Sequence, residues 1–303
     1  MSFQDCGRLD NSEYLEDPVL SNEMTEDQES GSFDKVEYWS KFYKSDGDEL
    51  EFYEWYSAEW LPEFVSTEVD KVDGDSVLDI GCGTSPLLFT LANGSSDTSE
   101  RIQELKLVGV DFVEEAIEFL KKEAIAQSVD IDFRVMDVTQ GLQGIRSSSF
   151  SVVVDKGCLD CFVTGEGTSK LAGYLKEVAR VLKGNGSFLL LPVNFANIRH
   201  LLQTGEIVAD TDADGVRSSS AAALEARKRA DSATTDVQGT SRHGLEVHHI
   251  VLYQQKHLYI CKLGPCEKLS VTCGGCGLNM EASYPKLDKQ CVCGNALRRF
   301  ALS

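Results

Sequence analysis

Val77-Leu-Asp-Ile-Gly-Cys-Gly-Thr-Ser-Pro86 is the stretch that decides how this chain folds. An apolar run of strand character ends in a glycine turn with a carboxylate, Asp79, beside it. Glycine at 81 and 83 lets backbone approach a ligand closely, and the turn leads into a helix whose first N–H groups face the same spot. Pro86 stands where a dinucleotide-binding fingerprint would place its third glycine. The turn therefore suits a ligand smaller than a dinucleotide, such as a nucleoside.

Three further runs share this form. Leu105–Phe112 (LKLVGVDF) reads as a buried strand ending in Asp111, 28 residues after Gly83, where an acid can accept both hydroxyls of a ribose. Ile131–Val138 (IDFRVMDV) ends around Asp137, and Phe150–Gly157 (FSVVVDKG) ends in Asp155 and Lys156. Strand ends carry turn-forming Asp and Gly for purely structural reasons, and that explains any one of these. Four together place polar groups along one crevice at the C-terminal edge of an open parallel sheet.

The series Asp-Ile-Gly-Cys-Gly, Val-Asp-Phe, Met-Asp-Val and Val-Asp-Lys-Gly resembles the class I S-adenosylmethionine-dependent methyltransferases. Asp-Lys-Gly-Cys-Leu-Asp at 155–160, with Tyr-Trp-x-x-x-Tyr at 38–43 and Tyr-Glu-Trp-Tyr at 53–56, is similar to the protein-lysine methyltransferases of the methyltransferase-like 13 type, which act on elongation factor 1-alpha and on citrate synthase. The resemblance covers residues 33–265, with a break at 204–244. Cys158 replaces the family's threonine, and Thr84 and Ser85 replace Asn-Ser or Asn-Gly. No carboxylate or glycine is lost, so these departures bear on substrate choice more than on cofactor binding.

The resemblance implies an α/β fold: a seven-stranded Rossmann-like methyltransferase sheet ending in an antiparallel pair, here Glu246–Tyr253 and His257–Leu263. It also implies the cofactor S-adenosyl-L-methionine. Gly81 and Gly83 would cradle it, Asp111 would bind the ribose, Phe112 would flank the adenine, and Asp137 and Val138 would meet the adenine edge. Trp39, Tyr43 and Tyr53 would close over it, where aromatic faces attract sulfonium and ammonium groups. Lys156 would contact the cofactor or hold its loop; an ion pair with Asp155 that only shapes the turn is the plainer reading. Asp155 is the candidate catalytic residue, orienting the target amine and accepting its proton.

Helices are expected over Asp34–Tyr43, Leu50–Phe64, Val113–Gln127 and Ser169–Leu182, the last stopped by Gly184 and Gly186, with a strand following at Ser187–Val193. Most of the aromatic residues between 38 and 64 suit a helical lid packed on the sheet.

The net charge is −20. Residues 1–75 hold 22 Asp and Glu against 5 Lys and Arg, a balance of −17. Such a surface repels phosphate backbones and attracts basic proteins, which makes nucleic acid a poor substrate and a basic protein, with elongation factor 1-alpha as the favoured guess, a good one. Residues 1–32 read as an acidic, disordered tail. No apolar run approaches membrane-spanning length, and no secretory or mitochondrial signal is visible, so a cytoplasmic enzyme is expected. Ten cysteines then suit a reducing compartment.

Residues 204–244, poor in apolar side chains, read as a mobile insertion. Residues 266–303 carry Cys-Gly-Gly-Cys-Gly from Cys273 and Cys-Val-Cys-Gly from Cys291, separated by 14 residues after Cys276. This spacing suits a small zinc-ribbon-like module in which Cys273, Cys276, Cys291 and Cys293 hold a structural Zn2+, with Cys261 and Cys266 as substitute ligands. Free cysteines in a short hairpin are the alternative. His248, His249 and His257 fall in strands and read as structural. Two other functions remain open at this level: a small-molecule methyltransferase on the same fold, and an inactive cofactor-binding scaffold recruiting partners through the acidic tail and the cysteine-rich module.

Overall fold

The computed structural model describes residues 33, 35–43, 50–55, 60–94, 105–163, 168–191, 202, 245–253, 256–264, 269–273 and 279–282. The acidic tail of residues 1–32 and the insertion at 204–244 lie outside them.

Sheet and helices follow from where apolar side chains recur. Strands β1 (Ser76–Ile80), β2 (Lys106–Asp111), β3 (Ile131–Val135), β4 (Phe150–Asp155) and β5 (Leu182–Leu190) lie parallel in the order β3-β2-β1-β4-β5. Strands β1 and β4 are buried along their whole length, as a sheet covered on both faces requires. Successive residues divide between the two layers. Leu78, Ile80, Val153, Phe188 and Leu190 face one layer, and Val77, Val152, Val154 and Leu189 face the other.

The first layer is closed by helices α5 (Cys158–Val163) and α6 (Thr168–Val181), the second by α2 (Leu61–Lys71), α3 (Leu87–Asn93) and α4 (Glu114–Gln127). Helix α6 shows why it packs there, with Leu171, Tyr174, Leu175 and Val178 all buried at the i, i+3, i+4, i+7 spacing of one helical face. Helix α1 (Val36–Tyr43) has no buried residue and lies over the sheet's C-terminal edge, tied to α4 by a hydrogen bond from Ser40 Oγ to Glu115 Oε2 at 3.2 Å.

Strands β6 (Leu245–Tyr253) and β7 (Lys256–Leu263) form the expected antiparallel hairpin, with β7 inserted beside β5. The sheet then continues beyond the seven expected strands. Strand β8 (Leu269–Cys273) runs parallel to β6 and pairs antiparallel with β9 (Asn279–Ala282), giving nine strands among the described residues in the order β3-β2-β1-β4-β5-β7-β6-β8-β9. The start of the cysteine-rich segment is therefore part of the same sheet.

Two further expectations need correction. Residues 50–54 carry no regular secondary structure, and helix α2 begins only at Leu61. Side chains in this strap alternate, Phe52 meeting Phe89 and Phe119 while Tyr53 and Trp55 meet Phe42. That is the period of extended chain rather than of a helix. Strand β5 also starts at Leu182, directly after α6, so Gly184 and Gly186 lie within the strand. A Cβ on Gly186 would sit 2.7 Å from the Ser151 carbonyl oxygen, which explains a glycine at that close approach.

None of the described helices is long and apolar enough to cross a membrane.

Candidate functional site

The chain order places β2 and β3 on one side of β1, and β4 and β5 on the other. Connections leaving β1 and β4 thus diverge, opening a crevice at their C-terminal ends. Gly81 and Gly83 fill that point with φ of +63° and +52°, a region that side-chain-bearing residues adopt only at a cost. A Cβ on Gly81 would come within 2.6 Å of Cys158 Cβ, and one on Gly83 would overlap the Tyr43 hydroxyl. Both glycines are needed for backbone shape and for clearance.

Asp111, at the end of β2, fixes this turn. Its Oδ2 accepts from the Gly83 N–H and its Oδ1 from the Val113 N–H, each at 2.9 Å. Burial raises its pKa, and the N–H groups of Val113, Gly83 and Phe112 oppose that rise. Phe112 beside it is half-buried, whereas Asp137 is exposed and Val138 is buried. Asp137 accepts from Thr139 N at 2.9 Å and caps a short 3-10 turn (Val138–Gln140).

In the Asp-Lys-Gly stretch the ion pair forms with an acid on β1. Lys156 Nζ pairs with Asp79, not with its neighbour Asp155, and reaches both carboxylate oxygens at 2.6 Å. The two side chains are 3% and 1% exposed. Burial pushes Asp79 up to about 6, against the pull of Lys156. Burial works to lower the Lys156 pKa, but the charges of Asp79 and Glu54 outweigh it and leave the ammonium more basic than usual.

Asp155, the expected catalytic carboxylate, is 0% exposed. Its Oδ2 accepts from the Tyr174 hydroxyl and, at 3.0 Å, from Leu159 N. Burial raises its pKa to about 6, and those donors oppose the rise. With no solvent-facing surface and its oxygens bonded to the protein's own donors, the carboxylate anchors the turn into α5.

The lid forms above the glycine turn. Tyr43 reaches Gly83, and burial followed by the Asp111 charge raises its phenol pKa. Trp39 spends its indole N–H on the Phe33 carbonyl, 2.8 Å away, and packs edge-on against Trp55 at 5.5 Å. Tyr53 donates its backbone N–H to Thr84 O and Oγ1, both at 3.2 Å. Sequence reasoning missed three residues here: Glu54, which accepts from Ser85 Oγ at 2.6 Å, Ser85 itself, and Tyr174. Tyr-Glu-Trp-Tyr contained a signal for Glu54, but nothing local links Tyr174 to Asp155.

Burial raises the thiols of Cys82 and Cys158 well above their ordinary range and that of Cys161 to about 12. They are protonated at neutral pH, as packing residues would be. His248 donates a 3.3 Å hydrogen bond to the Gly264 carbonyl, a structural role. Of the proposed zinc ligands, the backbone of Cys273 ends β8, while Cys276, Cys291 and Cys293 lie outside the described residues. Among the described residues no group of three or more His, Cys, Asp or Glu is arranged to hold a metal ion.

A family described as "Methyltransferase domain" matches residues 71–251, more than half of the chain, including the glycine turn, Asp79, Asp111, Asp155 and Lys156 but not the aromatic lid. The chain belongs to the methyltransferase domain family. Among curated members it is similar to the eEF1A lysine and N-terminal methyltransferase of Homo sapiens, 30% identical over 180 residues that cover 56% of this chain and 23% of that protein. It is 28% identical over 169 residues to the mitochondrial citrate synthase-lysine N-methyltransferase CSKMT of Danio rerio, covering 52% of this chain and 66% of that one. It is also 32% identical over 129 residues to the protein-lysine N-methyltransferase EFM4 of Saccharomyces cerevisiae, covering 40% and 52%. This methyltransferase-family chain spans less than a quarter of the length of the human relative.

Proposed function

We propose that this protein is an S-adenosylmethionine-dependent protein-lysine N-methyltransferase. The observation that carries the reading is the crevice at the β1/β4 divergence, where Gly81 and Gly83 take positive φ and the Asp111 carboxylate accepts from the Gly83 N–H. That arrangement fits a nucleoside with an amino-acid tail: side-chain-free backbone at the turn for the tail, and a buried acid at the position for ribose hydroxyls. The bound group would supply a methyl carbon already activated by its sulfonium. Gly81 and Gly83 would hold the tail, Asp111 the ribose, Phe112 one face of the base, and Asp137 and Val138 its edge. Tyr43, Tyr53 and Trp39 would cover the crevice and exclude water, and their faces favour a cationic ligand.

A lysine must be neutral before it attacks, and desolvation beneath these rings lowers its pKa. The buried Asp79–Lys156 pair and the Asp155–Tyr174 pair hold the two loops between which the amine enters. Asp155 thus acts as a positioning residue in this reading.

The lysine specificity is supported by the three curated relatives, each named for it, and an elongation-factor-1A-like protein is the favoured target because the human relative is named for it and the family that the residue patterns resemble includes such enzymes. The acidic N-terminal third suits a basic protein surface. We further propose that Cys273, Cys276, Cys291 and Cys293 hold a structural zinc ion. This is supported by the hairpin register: Thr272 pairs with Asn279, so the Cys-Gly-Gly-Cys run spans the link between β8 and β9.

Purified protein incubated with tritiated S-adenosylmethionine and a cell extract tests the activity, alongside Asp111→Asn, which puts an N–H where a carboxylate oxygen now accepts one. A labelled protein band carrying methyl-lysine, absent with the variant, is the expected result. Label confined to small molecules would overturn the lysine specificity, and failure to bind the cofactor at all would overturn the whole reading.

A further inference from the structure

We propose that Glu54 and Ser85 are positioning residues whose hydrogen bond couples the seating of the cofactor on the glycine turn to the closing of the aromatic strap that meets the protein substrate. The inference rests on the methyltransferase reading above and adds to it a pair of residues and a task.

Thr84 and Ser85 continue the backbone of Gly81–Gly83 without a break, so whatever orders those glycines orders them too. Ser85 is 5% exposed. Its hydroxyl gives its proton to Glu54 Oε2 at 2.6 Å and accepts from Leu87 N at 3.2 Å. The adjacent residues add a second link, Tyr53 N to Thr84 O and Oγ1. Turn and strap are thereby joined at two consecutive positions on each side.

The strap in turn is continuous with α1. Trp55 stacks on Phe42 at 5.6 Å and meets Trp39 edge-on, and Tyr53 meets Phe42 at 5.9 Å. Tyr43, on the same helix, lies over Gly83. Strap and helix form one aromatic body, and the Glu54–Ser85 bond is where that body is held to the cofactor's seat.

Two of the three tryptophans, Trp39 and Trp55, lie in this body, while Trp60 packs on Phe64 of α2, so a change in tryptophan fluorescence reports its closing. The probe is S-adenosylhomocysteine added to the full chain, with affinity measured by calorimetry and tryptophan accessibility by acrylamide quenching. In the unaltered protein, saturating ligand is expected to lower the quenching constant. Ser85→Ala and Glu54→Ala each remove a hydrogen bond to a charged group and are expected to bind roughly tenfold more weakly. At saturation, their tryptophans should stay as accessible as without ligand. Glu54→Ala/Ser85→Ala should lose less than the sum of the two single variants, because the two share a bond. Ser85→Thr, which keeps the hydroxyl, should restore both readouts.

Should Ser85→Ala not fold, Thr84→Val removes one acceptor of Tyr53 N at nearly constant volume and should give the same effect in smaller degree. Variants that bind with unchanged affinity and show unchanged protection would overturn the coupling, as would an unaltered protein that binds ligand with no change in quenching. An unaltered protein that does not bind S-adenosylhomocysteine would overturn the methyltransferase reading itself, and the coupling with it.

Discussion

Replacing Lys156 by Met should leave Asp79 as an uncompensated charge in a place that water does not reach. The pair is bidentate at 2.6 Å with side chains 3% and 1% exposed, and breaking a buried pair from one side costs about 3–5 kcal/mol. For a domain of this size that is a fall in Tm of roughly 6–20 °C. The double variant Asp79→Asn/Lys156→Met removes both charges and should recover most of the loss, since neutral replacement of a buried pair is often close to neutral in stability.

The pH dependence has a definite sign. The Asp79 carboxyl titrates at about 6 in the folded protein, above its ordinary value, so the folded state holds the proton more tightly. Its contribution to stability is present at low pH and is lost as pH rises through 6. Without Lys156 the carboxyl is driven higher still, so the deficit of Lys156→Met should be greatest at pH 7 and above and should shrink toward pH 5. Urea unfolding of the three proteins at pH 7 and pH 5 measures this. A deficit below about 1 kcal/mol at pH 7, one that does not change between the two pH values, or a double variant as unstable as the single one would refute the view that this pair is a coupled, dry ion pair.

Gly83→Ala should abolish measurable cofactor binding, because it combines a left-handed backbone cost of about 1–2 kcal/mol with overlap of the Tyr43 hydroxyl; adding Tyr43→Phe should relieve the overlap alone, and calorimetry with S-adenosylhomocysteine separates the two. Tyr174→Phe strands a buried carboxylate acceptor of Asp155 and should cost about 1–3 kcal/mol at pH 7. Because the Asp155 carboxyl titrates at about 6, that loss should diminish in urea unfolding at pH 5, where the neutral acid needs its donor less. Metal analysis of the purified protein should find one zinc per chain, and Cys276→Ser should abolish it; full zinc content in that variant would remove Cys276 from the ligand set.

The sheet was legible because buried parallel strands are short and apolar on both faces, and four of the five parallel strands are close to where the sequence places them, the fifth starting five residues earlier. Gly81 and Gly83 were legible for a related reason: a turn that must take positive φ leaves few alternatives in residue type, whereas the bond from the Gly83 N–H to Asp111 emerged only from the structure. The strap was misread for a physical reason too. Glu-Phe-Tyr-Glu-Trp offers a helix an aromatic face and an extended chain an alternating one, and what decides between them is tertiary. Phe52 reaches Phe89 and Phe119 on one side while Tyr53 and Trp55 reach α1 on the other.

The hardest feature to read in advance was the division of labour among acids that look alike. Asp79, Asp111 and Asp155 each follow an apolar run, and nothing local to the sequence ranks them. Their roles depend on partners 77, 28 and 19 residues away: the ammonium of Lys156 for Asp79, the Gly83 N–H for Asp111 and the Tyr174 hydroxyl for Asp155. A carboxylate with a buried ammonium, one with backbone N–H groups and one with a buried phenol have different remaining capacities. Asp111 holds the turn from the crevice side, where a ribose hydroxyl could share its oxygens, whereas Asp79 and Asp155 are sealed behind the turn. In the function proposed above, geometry, desolvation and aromatic cover would act on the amine, which a reaction with an already activated methyl carbon needs more than it needs a strong base.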